Sequence, residues 1–249
     1  MRPTTIHEVI SVLEEIIARE RKEHSAIGYF ASLYRTVTLR IKEGIEHREF
    51  EDNPRMERLD VIFANRFIDA YNSYKKKERP TLSWEYAFQQ DTNYWPIVLQ
   101  HLLLGMNAHI NLDLGIAAEE TSPGEKISEI RNDFDKINLI LFSLVAKVEN
   151  DLASIWPTLK FLLKVIGRVD NFMIDFNMEH ARKGSWKFAN QLAKMNEQEK
   201  TIAIKKRDEK IYRLAVLCLK PGIIARLLFG IIRLREKGSV EDKINELYS

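Results

Sequence analysis

Six polar side chains crowd into one apolar run of fifteen residues, Gln100-His-Leu-Leu-Leu-Gly-Met-Asn-Ala-His-Ile-Asn-Leu-Asp-Leu114. Two are imidazoles, three are amides and one is a carboxylate. At about 100° per residue on a helix, Gln100, Asn107 and Asn111 fall within about 40° of one another and form a polar stripe. His109 and Asp113, four residues apart, form a neighbouring pair on nearly the opposite side, with His101 between the two groups. Imidazole beside carboxylate is the arrangement of a general base held in one tautomer, and amides can hold a substrate or polarise a carbonyl. His109 is therefore the leading catalytic candidate, oriented by Asp113 or by Asp60, with His101 as a further candidate. Asn107 and Asn111 are candidate ligand contacts. His109 and Asp113 are also a candidate pair for a divalent metal, completed by ligands from other helices. His101 and His109 cannot share an ion, because eight residues of helix separate them by about 12 Å. Against these readings stands a structural one, in which the amides tie neighbouring helices together and each histidine is a satisfied core residue.

The helix carrying this run is apolar in nearly every direction, since Leu102, Leu103, Leu104, Ile110, Leu112 and Leu114 are spread around it. Such a helix is buried. Buried polar groups cost about 1–3 kcal/mol each when unpaired, so a network, a metal, water or a ligand must satisfy these. Gly105, one turn after His101, permits a close approach by another backbone or a ligand. On the helix expected at about 56–77, Leu59, Phe63, Phe67 and Tyr74 form an apolar stripe. Asp60 lies at its edge, placed to pair with His101 or His109; Arg66 is borderline, and Asn65 and Asp69 point toward solvent. Further along, Arg182 and Trp186 share a helical face, an arrangement that can clamp an anion or stack on a ring. Asp133 and Asn138 are weaker candidates. His7, His24, His47 and His180 have charged or loop neighbours and are expected at the surface.

The elements that must position these residues are helical throughout. Strand-like alternation is nearly absent, and only 10 Gly and 7 Pro punctuate the chain. Thr5-Ile-His-Glu8 predicts a capping box opening a first helix to about residue 21. A second helix is expected over 27–44, a short one from Thr81, and the central one over 95–119 with Pro96 in its first turn. Ile127–Leu152 reads as one long amphipathic helix, followed by helices from Pro157 and over 179–198. The stretch 197–210 is charged and expected to be solvated. Ile223–Leu234, with Arg226 and Arg233 on one face, is expected to be buried within the monomer. The predicted architecture is an all-α single domain over residues 1–249, a bundle of about ten helices around the buried central one.

Composition narrows the function classes. Lys plus Arg number 38 and Asp plus Glu 36, a net of +2 that gives no electrostatic case for nucleic acid. The single cysteine, Cys218, sits in an apolar run and reads as a buried hydrophobe. The N-terminus has no apolar stretch fit for a signal peptide, and charges or Pro-Gly interrupt the longest apolar region, 211–234. No transmembrane segment is expected, and the predicted location is cytoplasmic. Phosphate-binding loops, dinucleotide fingerprints, paired zinc cysteines, His-Glu-x-x-His, Glu-x-x-His and the Gly-x-Ser-x-Gly elbow are all absent from the sequence.

The strings Met56-Glu-Arg-Leu-Asp-Val-Ile-Phe-Ala-Asn-Arg-Phe67 and Leu99-Gln-His-Leu-Leu-Leu-Gly-Met-Asn-Ala-His-Ile-Asn-Leu-Asp113 resemble a family of helical, mostly bacterial proteins catalogued as a domain of unknown function. The resemblance covers most of the chain, through Ala181-Arg-x-x-x-Trp186. It implies fold and domain extent rather than chemistry, and it draws Asn65 and Arg66 into the candidate set beside the residues above, Arg66 as a ligand contact. The resulting expectation is a hydrolase-like, metal-dependent enzyme acting on a small molecule at a buried His/Asn/Asp site. The alternatives are a non-catalytic small-molecule-binding protein and a structural or partner-binding helical bundle.

Overall fold

The computed structural model describes residues 2–137, 140, 178–220 and 222–248. Among these there is no strand. Helix α1 (Ile6–Lys22) is followed by α2 (Ile27–Glu46), α3 (Asn53–Lys75) and α4 (Leu82–Phe88). Next come α5 (Val98–Ala108), a π-helical turn (His109–Asp113), α6 (Leu114–Thr121) and a 3-10 turn (Gly124–Ile130). Residues 131–137 are helical. The chain closes with α7 (Met178–Leu192), α8 (Glu197–Leu219), α9 (Ile223–Arg235) and α10 (Val240–Tyr248). The all-helical architecture expected from the sequence is what the structure shows.

Helical periodicity decides what each element buries. Along α1, Ile6, Val9, Leu13, Ile16, Ile17 and Glu20 line one face and are buried, the three-and-four spacing of an amphipathic helix. They join α2, α3, α4 and α5 in one apolar cluster that also takes in Phe229 and Ile232 of α9 and Ile244 and Leu247 of α10. A second cluster gathers Met56 and Leu59 of α3, Ile110, Leu114 of α6, and the stripe Ile127, Ile130, Phe134 and Ile137. The polar run lies between these clusters: α5 touches α2, α4 and α8, while the π turn and α6 touch α3 and α7.

Several local expectations change. The helix expected over 95–119 begins only at Val98 and is broken by the π turn, so Pro96 precedes it. The capping box is half formed: Thr5 Oγ1 accepts the Glu8 N–H, but the Glu8 carboxylate turns back to Thr4. The expected helix over 127–152 starts as a 3-10 turn; Leu141, Leu144, Val148 and the helix expected from Pro157 lie outside the described residues. The charged stretch 197–210 is mostly exposed, as expected, and forms the first half of α8, with Asp208 alone within it buried. Its carboxylate accepts the Leu82 and Ser83 N–H groups and the Ser83 hydroxyl. It thereby caps α4, whose own N-cap Thr81 makes no side-chain cap bond.

Helix α9 reverses the burial expected of it. Ile223 is 79% exposed, Leu227 66%, Ile231 47% and Leu234 73%. The apolar residues are numerous enough to line two faces, and only the one carrying Phe229 and Ile232 meets the bundle. No helix among the described residues is long and apolar enough to cross a membrane.

Candidate functional site

The π turn organises the polar run. A π turn closes hydrogen bonds five residues apart, and the Leu114 N–H accordingly reaches back to the His109 carbonyl. Such turns are rare inside α-helices and recur at functional sites. Here it sets His109 Nδ1 at 3.2 Å from Asp113 Oδ2. Trp84 Nε1 donates to the same oxygen at 2.8 Å, and Arg66 Nε donates to Oδ1 at 3.2 Å. An ionised carboxylate only accepts. The proton therefore sits on His109 Nδ1, and Nε2 carries the lone pair. That nitrogen is buried and has no hydrogen-bond partner among the described residues.

Aromatic rings form the walls. The imidazole stacks on Phe63, centroids 3.6 Å apart and planes 8° from parallel. Tyr34 meets it edge-on at 4.5 Å, with Phe30 at 5.7 Å and Trp84 at 5.9 Å. Burial holds the His109 pKa below its usual value; Asp113 opposes that shift and Arg66 adds to it. The ring is a neutral base at physiological pH.

Two further polar groups at this centre are unmatched. Asp60, one turn before Phe63 on α3, is 2% exposed, and neither carboxylate oxygen has a partner among the described residues. Burial, with a smaller contribution from Glu57, pushes its pKa up to about 7. The Tyr34 hydroxyl is likewise buried and makes no hydrogen bond of normal geometry among the described residues. Burial first, then the charges of Asp60 and Asp113, push its pKa well above the usual phenol range. The expected pairing of Asp60 with His101 or His109 does not form.

A family model described as a family of unknown function, DUF5995, matches residues 6–221. The chain belongs to that family. The match runs from α1 to the end of α8 and includes every residue of the His109 centre. No curated protein and no solved structure matches the chain.

The metal expectation does not suit this DUF5995 centre. Asp113 already accepts from one guanidinium, one indole and one imidazole, and a cation beside a metal ion is repelled. Among the described residues no three His, Cys, Asp or Glu side chains come together to hold an ion.

The remaining candidates go elsewhere. His101 is partly buried and sits edge-on to Tyr29 at 5.8 Å, apart from His109. Burial, then the nearby charges of Arg233 and Lys243, push its pKa down to about 3. Gly105 admits the Phe30 ring, which a Cβ would meet at 2.4 Å, rather than a backbone. Gln100 Nε2 donates to the Cys218 carbonyl at 3.0 Å and Asn107 Nδ2 to the Ile211 carbonyl at 2.9 Å, both on α8. Asn111 Nδ2 donates to Asn107 Oδ1 at 3.1 Å. The Asn107 amide is thus engaged in tying helices rather than turned toward a ligand. Asn65, expected in solvent, is buried and donates to the Pro3 carbonyl; Asp69 is exposed and paired with Arg2. Arg182 is buried, and the cation over the Trp186 ring is Arg131, at 4.9 Å, not Arg182. Asp133 caps the chain before α3 by accepting the Glu51 and Asp52 N–H groups; Asn138 lies outside the described residues. His7, His24, His47 and His180 are exposed, as expected.

Tyr34, Phe63 and Trp84 had no signal as site residues, because single aromatics on helices read as core. A second network was also missed. Glu20, fully buried, accepts from the Tyr71 hydroxyl at 2.6 Å, the Lys75 ammonium and the Ser25 hydroxyl. Its place on the apolar stripe of α1 was the available signal.

Proposed function

We propose that the His109 centre binds a small polar molecule and that His109 acts on it as general base in a hydrolase-like reaction. The observation that carries this reading is the orphaned Nε2, opposite an Nδ1 that Asp113 holds in place. Such a nitrogen is ready to take a proton from water or a substrate hydroxyl. Arg66 and Trp84 fix Asp113, so the imidazole keeps one tautomer and one orientation. The Tyr34 hydroxyl and the protonated form of Asp60 supply donors for a developing negative charge. No metal enters this reading.

The test is a hydrolysis screen over carboxylic esters, amides and phosphoesters, run on wild type and His109→Gln. The expected result is turnover of one class by the wild type, reduced by at least about 10²-fold in the variant, the typical contribution of a general base. Thermal unfolding of the two proteins should be similar. Turnover that is unchanged in His109→Gln would exclude His109 as the base.

A second reading, binding without chemistry, is supported by the aromatic enclosure. Phe63 stacked on His109, with Tyr34, Phe30 and Trp84 around it, resembles the walls of a ligand cage more than an open catalytic cleft. A wild type inactive on all three substrate classes, yet stabilised by a small polar compound in a thermal-shift screen, would favour this reading.

A further inference from the structure

A second site lies on the other side of α5, independent of the His109 centre. A cleft of about 260 Å³ opens between α5, α7 and α8. Its floor is Leu103, Ile211 and Cys218, all buried, and its rim is Leu214 and Leu217, both exposed. The polar groups around it are Asn107, Asn111, His180, Arg207 and Lys210. Among the described residues no Asp or Glu lines it.

Arg207 is the group that needs explaining. Its Nε donates to the Asn111 carbonyl at 2.9 Å, and its guanidinium lies 5.2 Å from the centre of the Phe188 ring. Gly184 lets it approach: a Cβ there would stand 3.3 Å from Arg207 Nη2. No carboxylate among the described residues pairs with it. Burial alone lowers its pKa from the usual arginine value. A partly desolvated guanidinium without a counter-ion is an anion-binding group, and its planar fork matches a carboxylate. His180 and Lys210 add donors at the same mouth. The Cys218 thiol on the floor is held protonated, its pKa pushed up to about 12 by burial, so the floor is chemically inert.

We propose that this cleft binds an amphiphilic carboxylate, a medium-chain fatty acid, with the carboxylate on Arg207 and the acyl chain against Leu103, Ile211 and Cys218. The volume is just below the ~300 Å³ lower end of small-molecule sites. It suits one acyl chain better than a ring system. The apolar rim continues the floor outward, so a longer chain emerges along Leu214 and Leu217.

Calorimetric titration of the full chain with decanoate tests this, with acetate and decanol as probes of head and tail alone. One decanoate per chain is expected, with acetate and decanol at least about tenfold weaker. Arg207→Gln should weaken decanoate by at least about tenfold. Circular dichroism will show whether that variant folds, since it loses the bond to Asn111. Leu217→Glu, at an exposed rim position of the same cleft as Arg207, provides the second variant and should weaken decanoate similarly by repulsion of its carboxylate. Absence of saturable binding, equal affinity for decanol, uptake of many molecules per chain, or wild-type affinity in the folded variants would overturn the proposal.

Discussion

Along α5, the amides of Gln100 and Asn107 reach carbonyls of α8, and Asn111 completes the chain by donating to Asn107. Along the π turn, Asp113 collects three donors, yet the groups just beyond it have no partner among the described residues: His109 Nε2, the Tyr34 hydroxyl and both oxygens of Asp60. The two regions share a sequence run and a similar degree of burial, and they differ in saturation. A saturated polar seam fixes how helices pack and has nothing left to give a ligand. An unsaturated one carries a desolvation cost that a bound molecule can relieve. That difference, rather than the presence of histidine, separates the helix-tying half of this run from the candidate site.

The strongest way to break the comparison is to titrate Asp60. Its pKa is about 7 in the folded protein against 3.8 for an ordinary aspartate. Between these values the unfolded chain has lost the proton while the folded one retains it. Stability therefore falls as pH rises from about 4 to about 7, by an amount of order 4 kcal/mol, and is flat above. His101, whose folded pKa is pushed down to about 3, acts in the opposite direction, because its unfolded form is protonated first as pH falls. His109 has the same sign. The Asp60 contribution is isolated by the difference between Asp60→Asn and wild type. Urea denaturation at successive pH values should show the variant gaining on the wild type up to about pH 7. A pH-independent difference would mean that Asp60 has a partner in solution.

Asp113→Ala comes next. It removes the acceptor of Arg66, Trp84 and His109 together, and breaking a buried ion pair costs about 3–5 kcal/mol. The lower end applies, because the Arg66 side chain is 26% exposed and water screens part of its charge. Unfolding midpoints measure the loss. Asp113→Asn, which keeps an acceptor oxygen, should recover much of it.

The helical fold was legible because the apolar spacing along α1, α2, α3 and the stripe from Ile127 is strong and the matching faces are buried. Within the site, the pair His109–Asp113 was legible from its spacing of four. The π turn was not, since an inserted residue in the hydrogen-bond ladder leaves no mark on apolar periodicity. Trp84 and Arg66 were hard to assign for another reason: their bonds to Asp113 span 29 and 47 residues of chain, and one sequence does not encode which distant helices meet. The division of the polar run between seam and site was open for the same cause, because α8 supplies the carbonyls that engage Gln100 and Asn107. The exposed face of α9 shows the limit of composition: a largely apolar helix can be covered on one side only.

Asn107→Leu tests the saturated seam. It removes the donor to the Ile211 carbonyl, which keeps its own place in the α8 hydrogen-bond ladder, and the acceptor of the Asn111 amide, while keeping the branched heavy-atom shape of the side chain. A buried group left unpaired costs about 1–3 kcal/mol. Loss of stability without any change in ligand binding at the His109 centre is expected from paired urea denaturation and thermal-shift measurements. A stability-neutral substitution would show that the seam is not what holds α5 against α8.

The smallest loss of stability is expected at Tyr34, and it is the sharpest discriminator. The hydroxyl has no partner among the described residues, so Tyr34→Phe removes a desolvated group without breaking a bond. Stability should not fall, and should rise by up to about 1–3 kcal/mol, the cost of a buried hydroxyl left unpaired. Tyr71→Phe is the matched control, because its hydroxyl donates to buried Glu20 at 2.6 Å. Losing a hydrogen bond to a charged group costs about 1.5–3 kcal/mol. Two chemically identical changes on neighbouring helices should therefore separate clearly in unfolding free energy. If Tyr34→Phe costs as much as Tyr71→Phe, the Tyr34 hydroxyl is satisfied in solution by a molecule bound at the centre. Repeating the measurement after unfolding, extensive dialysis and refolding would then distinguish a retained ligand, whose contribution is lost, from water, whose contribution persists.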